Sequence, residues 1–188
     1  MLGIEANICG RKGQIDLKTP DMFVETAGRT FDLLLLGYHQ MVLAASCKEF
    51  FSFNIPIQTA GIFRHTTDRR RKKNTEAFIN AIERYPIDII VHPNRIMEID
   101  FLMLAEAAAR LGVYLELNGK KNRISDADIQ KALERTSVQF IVNSDAHSPA
   151  RAGNFELPLS VIERNRIPAE RIANAGGVPP VFRRKSIE

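Results

Sequence analysis

Ile87-Asp88-Ile89-Ile90-Val91-His92-Pro93 is an apolar run that ends in an imidazole and a proline. It reads as a mostly buried strand with Asp88 near its start. Runs of the same kind lie on either side of it. Residues 2–8 form one. Leu33-Leu34-Leu35-Leu36, closed by Gly37, is a second, and residues 113–117 and 138–143 complete the set. Helical periodicity fills the gaps. Residues 74–85 place Phe78, Ala81, Ile82 and Tyr85 on one stripe. Residues 100–111 have Asp100 as a start and Gly112 as a stop. Residues 125–136 open on Ser-Asp-Ala-Asp, close to a capping box, and carry Ile129, Ala132 and Leu133 on one face. Residues 156–165 hold Pro158 in the first turn, where it costs little. Residues 168–172 start a last short helix, and residues 19–27, stopped by Gly28, form another. Residues 41–73 show no clear period and read as a long connection of the kind that carries site loops. Apolar strands alternating with amphipathic helices argue for parallel βα units, hence an α/β fold.

Composition narrows the class. The chain has 188 residues, 45% hydrophobic and 26% charged, enough apolar surface for one globular domain. No apolar run approaches the ~20 residues of a spanning helix. The first residues lack a basic stretch followed by a long apolar one, so no secretory signal is read there. Cys9 and Cys47 are too few for a disulfide framework and read as cytosolic thiols, which places the protein in the cytoplasm. The net charge of +4 suits an anionic small substrate, and the run Arg69-Arg70-Arg71-Lys72-Lys73 reads as a solvated loop.

Three of the four histidines follow strand candidates: His39, His92 and His147. Glu5 lies in the first strand, with Asn7 two residues on. Glu116 and Asn118 end another, and Asp145 precedes His147 by two. Carboxyl ends of parallel strands converge on one face, where α/β proteins place their sites. Imidazole and carboxylate without thiolate is a ligand set for zinc, manganese or iron. In an extended segment, Asp145 and His147 would point the same way. Arg95 and Arg151 follow the second and third of these histidine segments, and Arg11 and Lys12 follow the first strand; each is a candidate phosphate grip. His65 reads as solvent-exposed.

At these residues the chain resembles the PHP (polymerase and histidinol phosphatase) family, in its YcdX-like phosphatase branch. The motifs are Gly3-Ile4-Glu5-Ala6-Asn7-Ile8, Gly13-Gln14-Ile15-Asp16, Gly37-Tyr38-His39, Asn74-Thr75, Val91-His92-Pro93, Leu115-Glu116-Leu117-Asn118 and Asn143-Ser144-Asp145-Ala146-His147. Gly153-Asn154-Phe155-Glu156 and Pro168-Ala169-Glu170-Arg171-Ile172 continue the match in order. The resemblance implies a TIM-like, distorted seven-stranded barrel around a metal cluster, with residues 1–188 as a single domain. It implies that Glu5 bridges ions, that His39 and His92 share one of them, and that Asp145 and His147 bind others. Glu116 and Asn118 would support them or serve the fold. The family's His-x-His motif lies upstream of its Gly-Ile-Glu motif, and here no histidine precedes His39. The expectation is therefore a barrel truncated at the N-terminus, with reduced metal stoichiometry and with residues 2–8 as an open sheet edge prone to self-association.

The implied activity is a metal-dependent phosphoesterase hydrolysing a small phosphomonoester by metal-activated hydroxide. Glu5, Asp145 and His147 would be catalytic, and Arg95 and Arg151 would bind substrate. A catalytically incomplete binding or regulatory module is the first alternative. A nuclease ranks third, since only the basic run favours it and no aromatic residues interleave it for stacking single strands. No membrane partner is expected.

Overall fold

The computed structural model describes residues 2–17, 31–40, 44–63, 66–177 and 179–183. The helix read over residues 19–27 and the exposed His65 lie outside them.

Five strands form one parallel sheet whose spatial order equals sequence order: β1 (Gly3–Asn7), β2 (Leu33–Gly37), β3 (Ile89–Ile90), β4 (Tyr114–Asn118) and β5 (Phe140–Asn143). The sequence-predicted runs are all present, with trimmed ends. Among the described residues β1 pairs within the sheet only with β2, and residues 14–16 fold back along its far end. Parallel neighbours joined in order need crossovers of one hand, which keeps the helices on one face. α3 (Asp68–Arg84), α4 (Phe101–Leu111), α5 (Asp126–Arg135) and α6 (Glu156–Asn165) pack in that succession.

The pleat sorts side chains to two faces. Ala6, Leu34, Leu36, Ile90, Leu115, Leu117 and Phe140 enter the main core against Phe78, Ile82, Leu104 and Ile129 of the helices. The other face is divided along the strands. At its lower end Ile89, Tyr114, Ile141 and Phe182 cluster with Leu33 and Leu35. The C-terminal segment closes this end: the Tyr114 hydroxyl donates to the Val181 carbonyl at 2.8 Å, and the Arg183 N–H donates to Asp88 Oδ1 at 2.8 Å. At the carboxyl end the same face turns polar. The register sets Asn7 beside Gly37 and Asn118 beside Asn143.

Side-chain caps fix the helix starts. Thr67 accepts from the Arg70 N–H, Asp100 from Met103 and Ser125 from Asp128. Gly112, at φ 68°, ends α4 in the left-handed conformation that glycine adopts without strain. One expectation changes here. The described part of residues 41–73 is not irregular: it holds α1 (Cys47–Glu49), a π-helical stretch Phe50–Asn54, α2 (Ile55–Phe63) and the start of α3. The basic run is thus helical, not a loop. The last short helix is one 3₁₀ turn, Ala169–Arg171.

Candidate metal centre

β1 ends in Glu5-Ala6-Asn7, β2 in Gly37 with His39 two residues beyond, and β3 runs out through Val91 into His92. These three neighbouring strand ends bring Glu5, His39 and His92 together. Glu5 Oε1 is 3.0 Å from His92 Nε2 and 3.3 Å from His39 Nε2, and the two Nε2 atoms are 3.1 Å apart. The His92 side chain is 3% exposed, while those of Glu5 and His39 are partly open to solvent. His92 has φ 33°, a left-handed conformation rare outside glycine. It persists because its N–H donates to Glu116 Oε2 at 2.5 Å.

Hydrogen bonding around His39 decides what its inner nitrogen can do. Its Nδ1 is 2.5 Å from Asn7 Oδ1, and the Asn7 amide is itself oriented: its Nδ2 donates to Asp16 Oδ2 and its N–H to Asp16 Oδ1, both at 2.8 Å. With Asn7 Oδ1 turned to the ring, Nδ1 carries the proton and Nε2 presents a lone pair. Burial pushes His39 below the ordinary imidazole range, opposed by the Glu5 carboxylate, so the neutral ring is favoured. Two inner nitrogens and one carboxylate oxygen then face each other with at most one proton, on His92, to share. A cation between them resolves this. Two ligands ~2.0–2.1 Å from one zinc at a tetrahedral angle stand ~3.3 Å apart. The observed 3.0–3.3 Å fits that spacing. The three residues could hold a metal ion. The spacing is tight enough to demand Gly37: a Cβ there would lie 2.8 Å from His92 Cε1 and 3.0 Å from Glu5 Oε1.

The adjoining corner, at the ends of β4 and β5, is built differently. Glu116, 1% exposed, accepts from the His92 N–H and from Asn118 Nδ2 on Oε2, and from Asn143 Nδ2 on Oε1. Burial pushes its carboxyl up, and these donors pull it back. Asp145 Oδ2 accepts from Asn118 Nδ2 at 3.2 Å and meets Arg95 Nη1 at 3.5 Å. Asp145 has φ 47°, so the segment is not extended as expected, yet the two side chains still approach each other. His147 Nδ1 reaches the Asp145 carbonyl at 2.9 Å and Oδ1 at 3.5 Å, with its side chain 63% exposed. Both residues lie outside the Glu5–His39–His92 trio. Arg95 is partly buried against Asp145, and Arg151 is exposed on a 3₁₀ turn. Sequence reading did not single out the Asp16 clamp. Its signals are the Gly13-Gln14-Ile15-Asp16 motif, which by itself gives Asp16 no role, and the turn Gly10–Gly13, which folds residues 14–16 back onto β1.

Fold and site thus define a parallel α/β protein with an imidazole–carboxylate centre at its strand ends. No family model matches the chain. Over 180 residues it is 32% identical to a protein of Shewanella sediminis (strain HAW-EB3) named "Probable phosphatase", covering 92% of this chain and 61% of that protein. Over 180 residues it is also 32% identical to a "Probable phosphatase" of Shewanella frigidimarina (strain NCIMB 400), with the same coverage. A relative from Edwardsiella ictaluri (strain 93-146), likewise named a probable phosphatase, is 33% identical over 181 residues, 92% of this chain and 62% of its own. The chain spans about three-fifths of the length of these curated relatives. Among the described residues, no helix is long and apolar enough to cross a membrane.

Proposed function

We infer that the chain forms the metal-dependent phosphoesterase centre of a PHP-type protein acting on a small phosphorylated substrate. The convergence of Glu5 Oε1, His39 Nε2 and His92 Nε2 within 3.0–3.3 Å carries this reading. The names of the relatives and the motif resemblance point the same way. Zinc, manganese or iron suits these donors. A divalent ion held there supplies charge neutralisation at phosphoryl oxygens and a water of lowered pKa. The chain's own residues do the rest. Asn7 holds the His39 ring in its metal-accepting tautomer. Glu5 offers a second oxygen towards a neighbouring ion. Asp145 and His147 would hold further ions there, and Arg95 and Arg151 would grip the phosphate.

Consecutive parallel order supports a distorted TIM-like barrel, with residues 1–188 in one domain. Among the described residues β1 has one strand neighbour, which supports self-association through its other side. A cytoplasmic location accords with the two thiols. A second reading, a binding module without turnover, is favoured by one observation: Asp145 is already engaged by Asn118 and Arg95.

Metal analysis after production with Zn²⁺ and Mn²⁺, followed by an aryl phosphate assay with and without chelator, tests both readings. Bound metal and chelator-sensitive hydrolysis support the enzyme. Metal without hydrolysis selects the binding module, and absence of bound transition metal defeats both. Glu5→Ala should lower metal content and abolish turnover.

A further inference from the structure

Arg11, Arg69, Arg70 and Lys73 line one cavity of about 310 Å³, whose wall includes Phe53 and Ile57. Two separate parts of the chain build it. Arg11 comes from the turn after β1, and the other three come from the first turns of α3. The basic run is exposed throughout, but its side chains divide between two sides of the helix. Arg71, on another side of the helix, pairs with Glu98 at 3.0 Å and with Asp68 at 3.9 Å. Arg69, Arg70 and Lys73 make no ion pair among the described residues and line the cavity instead. Arg11 is held across it: its guanidinium donates to the Ser52 carbonyl, its N–H to Glu49 Oε2 at 3.1 Å, and its carbonyl accepts from Asn80 Nδ2 at 3.2 Å. Among the described residues Glu49 is the one carboxylate bonded to this group, and it meets the Arg11 backbone N–H, not the guanidinium. The apolar wall is buried, with Phe53 and Ile57 each 4% exposed.

Cations gathered around a concave, partly apolar site focus potential and draw an anion. Arginine forks match phosphate oxygens two at a time. One phosphate carries too little charge for four cations, whereas two linked phosphates match them closely. The volume stands at the lower end of the ~300–1,000 Å³ of small-ligand pockets. We propose that this cavity binds a compact polyanion of the pyrophosphate class, either free or as the diphosphate of a larger small molecule. The proposal does not rest on the reading of the Glu5–His39–His92 centre.

The test is a calorimetric titration of the full chain with inorganic pyrophosphate at ~0.15 M salt, run with and without chelator. Saturable one-to-one binding is expected in both conditions. The double substitution R70A/K73A should weaken it by about tenfold or more. K131A/R135A removes the same charge from exposed positions of α5 and should leave it unchanged. Arg69→Ala, a single exposed change, should weaken binding on its own. A nucleoside diphosphate binding more tightly than pyrophosphate, with the same dependence on Arg70 and Lys73, identifies the larger ligand. Four results overturn the proposal: no saturable binding, equal weakening by both double variants, binding only without chelator, or tighter binding of a single-stranded oligonucleotide. The third would place the anion on an ion at Glu5, and the last would make the cavity part of a nucleic-acid surface.

Discussion

Two acids on the same sheet face are treated in opposite ways. Glu116 is fully buried, and each oxygen accepts from an amide or backbone N–H. Glu5 is partly open, and its Oε1 faces two imidazole nitrogens, one with its lone pair exposed. A buried carboxylate met by donors is satisfied and holds the backbone in place. A carboxylate that meets a lone pair on one ring and at most one N–H on the other keeps accepting capacity that a cation could use. The first arrangement supports the site; the second is the site. The two are joined at His92, whose N–H serves Glu116 and whose ring serves Glu5.

The most damaging way to break the comparison is Gly37→Ala. The added methyl would stand 2.8 Å from His92 Cε1, 2.9 Å from Val91 Cγ2 and 3.0 Å from Glu5 Oε1. Overpacking of this kind costs about 1–3 kcal/mol. It also spreads the three donors, so metal content should fall to background. Urea unfolding and metal analysis read the two effects separately. Loss of stability with full metal content would show that the donors do not need this close approach.

Glu116→Gln should be next. The carboxylate faces three donors, and the amide must present its own NH₂ to at least one of them. A donor left unpaired in a buried site costs about 1–3 kcal/mol. The expectation is that much loss in urea unfolding, with metal binding weakened only as far as His92 shifts. A stability unchanged from the native protein would mean that Glu116 is not the hub its hydrogen bonds describe.

Asn7→Ala acts on the His39 ring and leaves Asp16 Oδ2 to solvent. It removes the acceptor that fixes His39, and loss of such an orienting partner typically costs ~10–100-fold in metal affinity. Competition against a chromogenic chelator measures this. Asn7 is half-exposed, so the thermal midpoint should hardly move. A large fall in midpoint with unchanged affinity would reverse the assignment and make Asn7 structural.

How far the sequence reveals this arrangement depends on the range of the contacts. The strands are legible because their apolar runs are short and closed by glycine or proline. The trio is legible because parallel strand ends must share one rim, wherever they lie along the chain. The Asp16–Asn7–His39 relay is not, because it needs the loop after β1 to fold back by a specific turn. The start of α3 is hidden for another reason: Asp68 to Lys73 carry no apolar period, and only the Thr67 cap marks the boundary. Asp145 escapes pattern rules altogether. Its backbone is left-handed, not extended, so strand alternation is not what brings its side chain near His147.

His147→Ala should have the smallest effect, and it sharpens the comparison most. The ring is 63% exposed and touches its neighbours only at the Asp145 carbonyl and carboxylate. Removing it leaves that carbonyl to water, so stability should stay within about 0.5 kcal/mol of the native protein. Ion content set by Glu5, His39 and His92 should stay unchanged, since His147 is not among the converging donors. Any change then falls on turnover of an aryl phosphate. If turnover drops at constant metal content and stability, the Asp145 corner acts in the reaction while the trio holds the ion. If metal content drops with it, the two regions share one cluster, and His147 belongs with the trio.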